Sequence, residues 1–145
     1  MLPSTSALYA KDLENLLEGD VSVLDTDREK VARDTSLFYV LPEIVLYPKH
    51  AKDISRILAY VNDKKTKGAD ISVAFRSAGT CMTGGPLSTS IVIDVMRHMN
   101  HIIEATSKSA TAEPGVFYRD FEKETLKYNW FMPSYPASRE LAAIG

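Results

Sequence analysis

Cysteine and histidine are scarce in this 145-residue sequence, which has one cysteine, Cys81, and three histidines. A single cysteine excludes an intramolecular disulfide and a metal site that needs several cysteine ligands. The histidines, His50, His98 and His101, have no cysteine or carboxylate partner at the spacing of a metal-binding motif. We therefore predict no metal site.

The sequence also lacks a basic surplus and a long apolar run. It has 17 lysines and arginines and 19 aspartates and glutamates, which gives a formal net charge of −2. Such a balance does not gather nucleic acid or an anionic membrane. No run approaches the roughly 18 apolar residues of a membrane span, and the first 20 residues lack the apolar stretch of a signal peptide. We expect a cytoplasmic protein.

The residues that are present fit a globular domain that mixes helices and strands. Apolar residues make up 45% of the chain and charged residues 25%, which is enough for one sizeable core. Hydrophobic periodicity predicts helices over 7–17, near 26–34, over 50–65 and over 116–129. Short β-rich runs predict strands over 42–48, 71–75, 90–96, 101–105 and 109–114.

The clearest pattern is a strand, a helix and a second strand between residues 42 and 75. Ile54, Ile57, Leu58 and Val61 recur at helical spacing within 50–65. Strand, helix and strand in this order predict a βαβ unit with parallel strands and a right-handed crossover. The fold class is therefore α+β, with an α/β unit at its centre.

A stretch of small residues, RSAGTCMTGG (76–85), begins where the second strand ends. Open α/β sheets bind ligands at that edge. The stretch could be a tight turn, because adjacent glycines commonly mark one. A triphosphate loop would need lysine and serine or threonine where Gly85 and Pro86 stand. The third interpretation is a dinucleotide phosphate cradle of backbone N–H groups, helped by the hydroxyls of Ser77, Thr80 and Thr83.

The order of the segments resembles a known family. PEIVLYP, the amphipathic helix, ISVAFRSAGTCMTGGPL, IVIDVMRHMNHIIE, TAEPGVFYRDFE and MPSYPASRELAAIG follow one another as in the N-terminal part of FAD-linked oxidoreductases. These are the vanillyl-alcohol-oxidase or PCMH-type flavoproteins, and the glycolate oxidase and D-lactate dehydrogenase branch is the most similar. The resemblance implies a helical extension (1–33), a first FAD-binding subdomain (34–96) and the start of a second (97–145).

The resemblance also implies which residues contact FAD. In that family the loop corresponding to 76–85 wraps the pyrophosphate, and the segments corresponding to 113–116 and 136–138 border the cofactor. The implied FAD-binding residues are Arg76, Ser77, Ala78, Gly79, Thr80, Cys81, Met82, Thr83, Gly84, Gly85, Pro114, Gly115, Pro136, Ala137, Ser138 and Gly145. Relatives that attach FAD covalently often carry histidine where this chain has Thr80, so non-covalent FAD is implied. No catalytic residue is assigned.

The activity implied is oxidation of a 2-hydroxy acid, such as glycolate or D-lactate, by hydride transfer to FAD. Members of this family are much longer than 145 residues, so we expect a fragment that binds FAD weakly and does not turn over. A missing part of the enzyme, a partner subunit or a second copy would complete the site, and residues 97–145 would lack strand partners. The alternative is a non-catalytic half-domain, either an interaction subunit or a truncated remnant.

Five further side chains have a stated expectation. Arg76 either approaches a phosphate or pairs with a carboxylate. Cys81 is expected to be a small buried thiol, because the sequence shows no neighbouring base that would lower its pKa. Asp94 is expected to accept hydrogen bonds from the turn that follows its strand. His98 and His101 are expected to be solvated turn residues and not a proton relay.

Overall fold

Two sheets and four helices make up the protein, whose computed structural model describes residues 5–145. The helices are α1 (Thr5–Leu16), α2 (Asp25–Val31), α3 (Ala51–Thr66) and α4 (Tyr118–Leu126). The strands are β1 (Asp20–Ser22), β2 (Ile44–Tyr47), β3 (Val73–Arg76), β4 (Ile91–Asp94), β5 (Ile102–Ala105) and β6 (Ala110–Ala112). This mixture confirms the α+β fold class.

The larger sheet has the strand order β1-β2-β4-β3. β2 and β3 both run parallel to β4, which lies between them, and this confirms the parallel arrangement expected of β2, α3 and β3. The two central strands, IVLY and IVID, are apolar except for Asp94 at the end of β4. Strands covered on both faces have this pattern, because neither face of the sheet meets water.

The main core lies between this sheet and helices α1 and α3. Leu13 of α1, Ile57 of α3 and Ile93 of β4 are fully buried in one cluster. Burial of each such side chain contributes about 1.5–3 kcal/mol. The predicted face of α3 is correct for Ile57 and Val61, whereas Leu58 lies at its edge and is 43% exposed.

The start of α3 is fixed by a buried carboxylate. Asp53 is fully buried and accepts hydrogen bonds from the backbone N–H groups of Glu18, Gly19 and Lys49. The His50 ring accepts the Asp53 N–H at 3.3 Å and so caps the helix. The turn between α1 and β1 is thereby joined to the N-terminus of α3.

The second sheet pairs β5 with β6 in antiparallel fashion. The expectation that residues 97–145 lack strand partners is therefore wrong for these two strands, because the chain turns back at 106–109 and the strands pair with each other. The end of the chain also finds backbone partners. Ile144 donates its N–H to the Val116 carbonyl at 2.9 Å, and Gly145 to that of Pro114 at 2.8 Å.

Two elements differ from the sequence predictions. β1, a three-residue edge strand antiparallel to β2, was not predicted, because DVS is too short to show alternation. α4 is shorter than predicted and begins after Phe117, whose ring lies under the guanidinium of Arg119 instead of in the core, whereas Phe121 is buried as expected. None of the helices between residues 5 and 145 is long and apolar enough to span a membrane.

Candidate functional site

A cleft of about 940 Å³ separates the glycine-rich loop (76–85) from the C-terminal segment (136–145). The predicted site residues on its wall are Arg76, Ser77, Ala78, Gly79, Thr80, Cys81, Met82, Gly85, Pro114, Pro136, Ala137, Ser138 and Gly145. Residues distant in sequence thus meet around one space. The loop leaves the C-terminal end of β3, which is the sheet edge predicted to bind a ligand.

Three predicted residues do not line the cleft: Thr83, Gly84 and Gly115. Gly84 has φ +79° and faces the ring of Phe38, where a Cβ would lie 2.9 Å from Cδ2. Gly115 packs against the carbonyl oxygens of Val95 and Met99, and a Cβ there would lie 2.6 Å from the latter. Gly84 and Gly115 therefore shape the backbone around the cleft without lining it. The residue type alone does not distinguish these two roles.

The cleft wall also includes residues that sequence reasoning missed. They are Thr35, Ile54, Phe75, Pro86, Val95, Leu141, Ala142 and Ala143. Most are apolar, and their apolar character was assigned to core packing. Thr35 lies in a polar, aperiodic segment that gives no signal for a site.

Arg76 is the cation of the cleft. Its Nη1 atom is buried and has no hydrogen-bond partner, and the side chain pairs with no carboxylate among residues 5–145. Burial lowers the pKa of Arg76, and the charges of Asp94 and Asp34 oppose that effect. A buried cation without a partner is costly, so this site favours an anion.

The loop also offers unpaired backbone donors. Within the described part of the chain, the N–H groups of residues 78–82 have no hydrogen-bond acceptor. Consecutive backbone N–H groups in a turn form a concave site for an anion. By contrast, the carbonyl oxygens of Thr80 and Cys81 are hydrogen-bond acceptors for the Thr35 hydroxyl, at 3.0 and 2.8 Å.

A hydrogen bond joins the two chain segments beneath the cleft. The hydroxyl of Ser77 donates to the Pro114 carbonyl at 3.2 Å. Gly115 donates its N–H to the Met99 carbonyl at 2.8 Å, and Gly145 donates to Pro114. Hydrogen bonds therefore join the loop, the Pro114 turn and the C-terminal residue Gly145 across the cleft.

Asp94 makes the contact predicted for it, whereas the pKa of Cys81 departs from the prediction. Asp94 accepts the Met96 N–H at 2.7 Å, as predicted, and burial raises its pKa against the effects of that bond and of Arg76. Cys81 is half-buried beside the Thr83 hydroxyl at 3.2 Å. Hydrogen bonds from Thr83, and then from the backbone of Thr83 and Gly85, lower the pKa of Cys81, so the expectation of an unperturbed thiol is wrong.

The histidines lie off the wall of this cleft. His98 contacts Asp20 at 2.7 Å and His101 contacts Glu113 at 2.8 Å, so each has a carboxylate partner that the sequence spacing did not show. They are separate histidine–carboxylate contacts and form no relay with each other.

His50 lies near Glu18 and Asp53, and one ligand atom of each falls within 4.8 Å of the others. This cluster is already satisfied as an ion-pair network. The Nδ1 atom of His50 accepts the Asp53 N–H, and Nη1 of Arg56 lies 3.5 Å from both carboxylates. The Nδ1 lone pair used in this way is not available to a metal ion.

The residues of the cleft fit the diphosphate of a dinucleotide. The unpaired guanidinium of Arg76 and the free N–H groups of 78–82 supply positive partners for phosphate oxygens. Small side chains let the backbone approach closely, and the apolar residues of the wall suit an aromatic ring.

Comparison with known proteins points to the same class of ligand. A family model described as an FAD binding domain matches residues 42–145. D-2-hydroxyglutarate dehydrogenase of Haemophilus influenzae is 35% identical over 101 residues, which is 69% of this chain and 10% of that protein. The glycolate oxidase subunit GlcD of Bacillus subtilis is 29% identical over 115 residues, 77% of this chain and 23% of that protein.

Solved structures share the fold. An alkyldihydroxyacetonephosphate synthase superposes with a TM-score of 0.79 at 17% identity, covering 99% of this chain and 29% of that one. A p-cresol methylhydroxylase with substrate bound gives a TM-score of 0.74 at 18% identity, covering 97% and 28%. The chain thus spans under a third of these proteins and about a tenth of the dehydrogenase.

Proposed function

We propose that this chain, which belongs to the FAD binding domain family, is the part of a flavin-dependent oxidoreductase that holds the diphosphate of FAD. The observation that carries the proposal is the half-buried guanidinium of Arg76, whose Nη1 atom is buried and unpaired, beside a row of free backbone N–H groups. A cation and aligned donors in a cleft bind a diphosphate with little reorganisation.

The proposed contacts fall into two groups. Arg76, residues 77–82 and Gly85 face the diphosphate, while Pro114, residues 136–138 and Gly145 form the opposite wall. Thr83, Gly84 and Gly115 belong to the site through the backbone shape that they permit. We further propose that FAD is held without a covalent bond, because Thr80 offers no imidazole for a histidyl linkage.

For the whole enzyme we propose a 2-hydroxy acid substrate, such as glycolate, D-lactate or 2-hydroxyglutarate. The support is the similarity to a D-2-hydroxyglutarate dehydrogenase and to a glycolate oxidase subunit. When bound, FAD supplies the electron acceptor for this oxidation. The residues of this chain bind and orient the cofactor, and a cytoplasmic location stays a prediction from the sequence.

We also propose that further polypeptide covers the cleft. Met82 and Leu141 stand on its rim with 79% and 63% of their surface exposed, and the relatives are much longer than this chain. The remainder of the enzyme, a partner subunit or a second copy could supply that cover. Residues 34–96 and 97–145 would then be a complete and an incomplete FAD-binding subdomain.

The test compares FAD with riboflavin, which has the same ring but no diphosphate. Flavin fluorescence and thermal shift should show saturable binding of FAD, while riboflavin binds far more weakly. A chain with Gly84→Val and Gly85→Val should lose the FAD effect, because valine at φ +79° distorts the loop. Equal binding of riboflavin, or no FAD effect at any concentration, would refute the proposal.

A further inference from the structure

The glycine-rich loop is braced by a segment that lies outside the matched family region of 42–145. This bracing segment, residues 34–38, contacts the loop at Thr80, Cys81 and Gly84, within and just after its anion-binding stretch. We propose that Asp34 and Thr35 are positioning residues that hold the loop backbone in its anion-binding form. The inference rests on the proposed function and adds residues that have no contact role there.

Thr35 fixes two successive peptide groups. Its hydroxyl lies 3.0 Å from the Thr80 carbonyl and 2.8 Å from that of Cys81, and its backbone N–H donates to Cys81 at 3.1 Å. In a trans peptide the C=O and N–H point in opposite directions. With both carbonyls held toward Thr35, the N–H groups of Cys81 and Met82 must point away from it.

Asp34 fixes the far end of the loop. Its Oδ2 atom accepts the Gly84 N–H at 3.0 Å, and its Oδ1 atom accepts the Ser36 N–H at 2.9 Å. Gly84 adopts φ +79° and lies against Phe38 of the same segment. The left-handed turn at Gly84 is therefore held by a hydrogen bond on one side and by an aromatic ring on the other.

The bracing segment is itself anchored. Val40 donates its N–H to the Ala32 carbonyl at 2.9 Å, which closes the segment onto the end of α2. The Ser36 hydroxyl accepts the Phe38 N–H at 3.1 Å. A segment closed at its base can transmit a fixed geometry to the loop.

The charge of Asp34 opposes the role of the loop. Burial acts to raise the pKa of Asp34, but hydrogen bonds from the hydroxyl and N–H of Ser36, from the Gly84 N–H and from its own N–H outweigh it and lower the pKa, so Asp34 is ionised at neutral pH. A carboxylate near a diphosphate is repulsive, so removing its charge would strengthen binding if charge were its only effect. Positioning predicts the opposite result, because asparagine has one acceptor oxygen for two N–H groups.

Hydrogen exchange in the free chain tests positioning without any cofactor. Thr35→Val should speed exchange of the Gly84 N–H, which donates to Asp34, about tenfold, because the hydroxyl that joins the bracing segment to the loop is lost. Thr35→Ser, which keeps the hydroxyl, should restore the slow rates. The control is Thr66→Val, which removes a hydroxyl bonded to the Asp63 carbonyl on the surface of α3.

FAD titration of the same chains gives the second readout. Thr35→Val and Asp34→Asn should each raise the FAD dissociation constant about tenfold, and the exposed control Asp70→Asn should leave it unchanged. Unaltered exchange in both variants, or tighter FAD binding by Asp34→Asn, overturns the inference. Faster exchange in a chain that never binds FAD supports the bracing role and contradicts the proposed function instead.

Discussion

The guanidinium of Arg76 occupies the space in which a side chain on Gly79 would lie. A Cβ on Gly79 would stand 2.7 Å from Cζ of Arg76 and would overlap its Nη2 atom. Gly79 also has φ +72°, a conformation that other residues adopt rarely. The cation and the glycine therefore form one unit of the cleft.

Replacing Arg76 with methionine should weaken FAD binding without lowering the stability of the fold. The guanidinium is half-buried and its Nη1 atom has no partner, so its loss should leave the free energy of unfolding unchanged or raise it by about 1 kcal/mol. FAD should bind at least about tenfold more weakly, because a charge-assisted contact is gone. Urea unfolding and FAD titration measure the two effects.

The control for this variant is Arg97→Met. Arg97 stacks 3.3 Å above the Tyr47 ring and contacts Asp20 and Asp27, away from the cleft wall. It should lower stability by about 1 kcal/mol and leave FAD binding unchanged. A large loss of stability in Arg76→Met would show that Arg76 is a structural residue.

Gly79→Ala should weaken FAD binding through displacement of Arg76. Gly68→Ala is the matched control, because Gly68 has φ +87° but nothing lies within 4 Å of its missing Cβ. Both substitutions carry the strain of a left-handed residue, about 1 kcal/mol. Thermal unfolding should report this common cost, and only Gly79→Ala should lose FAD affinity.

Asp53→Asn should change how stability depends on pH. Burial disfavours the charged form of Asp53, but N–H groups of Lys49 and Glu18, the charge of His50 and the N–H of Gly19 outweigh it, so its pKa is lowered. A lowered pKa stabilises the fold above the usual value of about 4, and this stability is lost as the pH falls through the folded-state value.

At pH 7 the variant should therefore be about 2 kcal/mol less stable, because buried N–H groups lose their acceptor. The difference from the unsubstituted chain should shrink toward pH 2. Asp70→Asn, at an exposed position, should follow the original pH curve. Parallel curves for Asp53→Asn and the unsubstituted chain would contradict the assignment.

Tyr118→Phe should loosen the C-terminal wall of the cleft. Tyr118 is buried, and its hydroxyl donates to the Met132 carbonyl at 2.9 Å. The loss should cost about 1 kcal/mol and speed hydrogen exchange of the Leu141 and Ala142 N–H groups, which donate to the Ser138 carbonyl. Tyr128→Phe, at a position 42% exposed, is the control and should change neither quantity.

The sequence revealed the parts of the fold that depend on local pattern. Ile57 and Val61 marked the buried face of α3, and the run of small residues marked the loop at the end of β3. It did not reveal that Thr35 holds the carbonyls of Thr80 and Cys81 across 45 and 46 residues. Such contacts depend on how the fold brings distant residues together, and they produce no periodic pattern in the sequence.

The same limit applies to electrostatic partners. His50, His98 and His101 each meet a carboxylate, and only the His50–Asp53 pair has helical spacing. The shift in the pKa of Cys81 comes from a neighbouring hydroxyl and from backbone donors, which no search for a charged base would find. Burial of Arg76 without a partner is likewise a property of the assembled cleft.

The free amides of residues 78–82 have a consequence for how this chain tolerates change over evolutionary time. Every amino acid except proline supplies a backbone N–H. Selection at these positions therefore acts on bulk and on backbone shape more than on any functional group. Saturation mutagenesis should show that small residues of many chemistries are tolerated at 78 and 80–82 but not at Gly79, whose missing side chain makes room for Arg76.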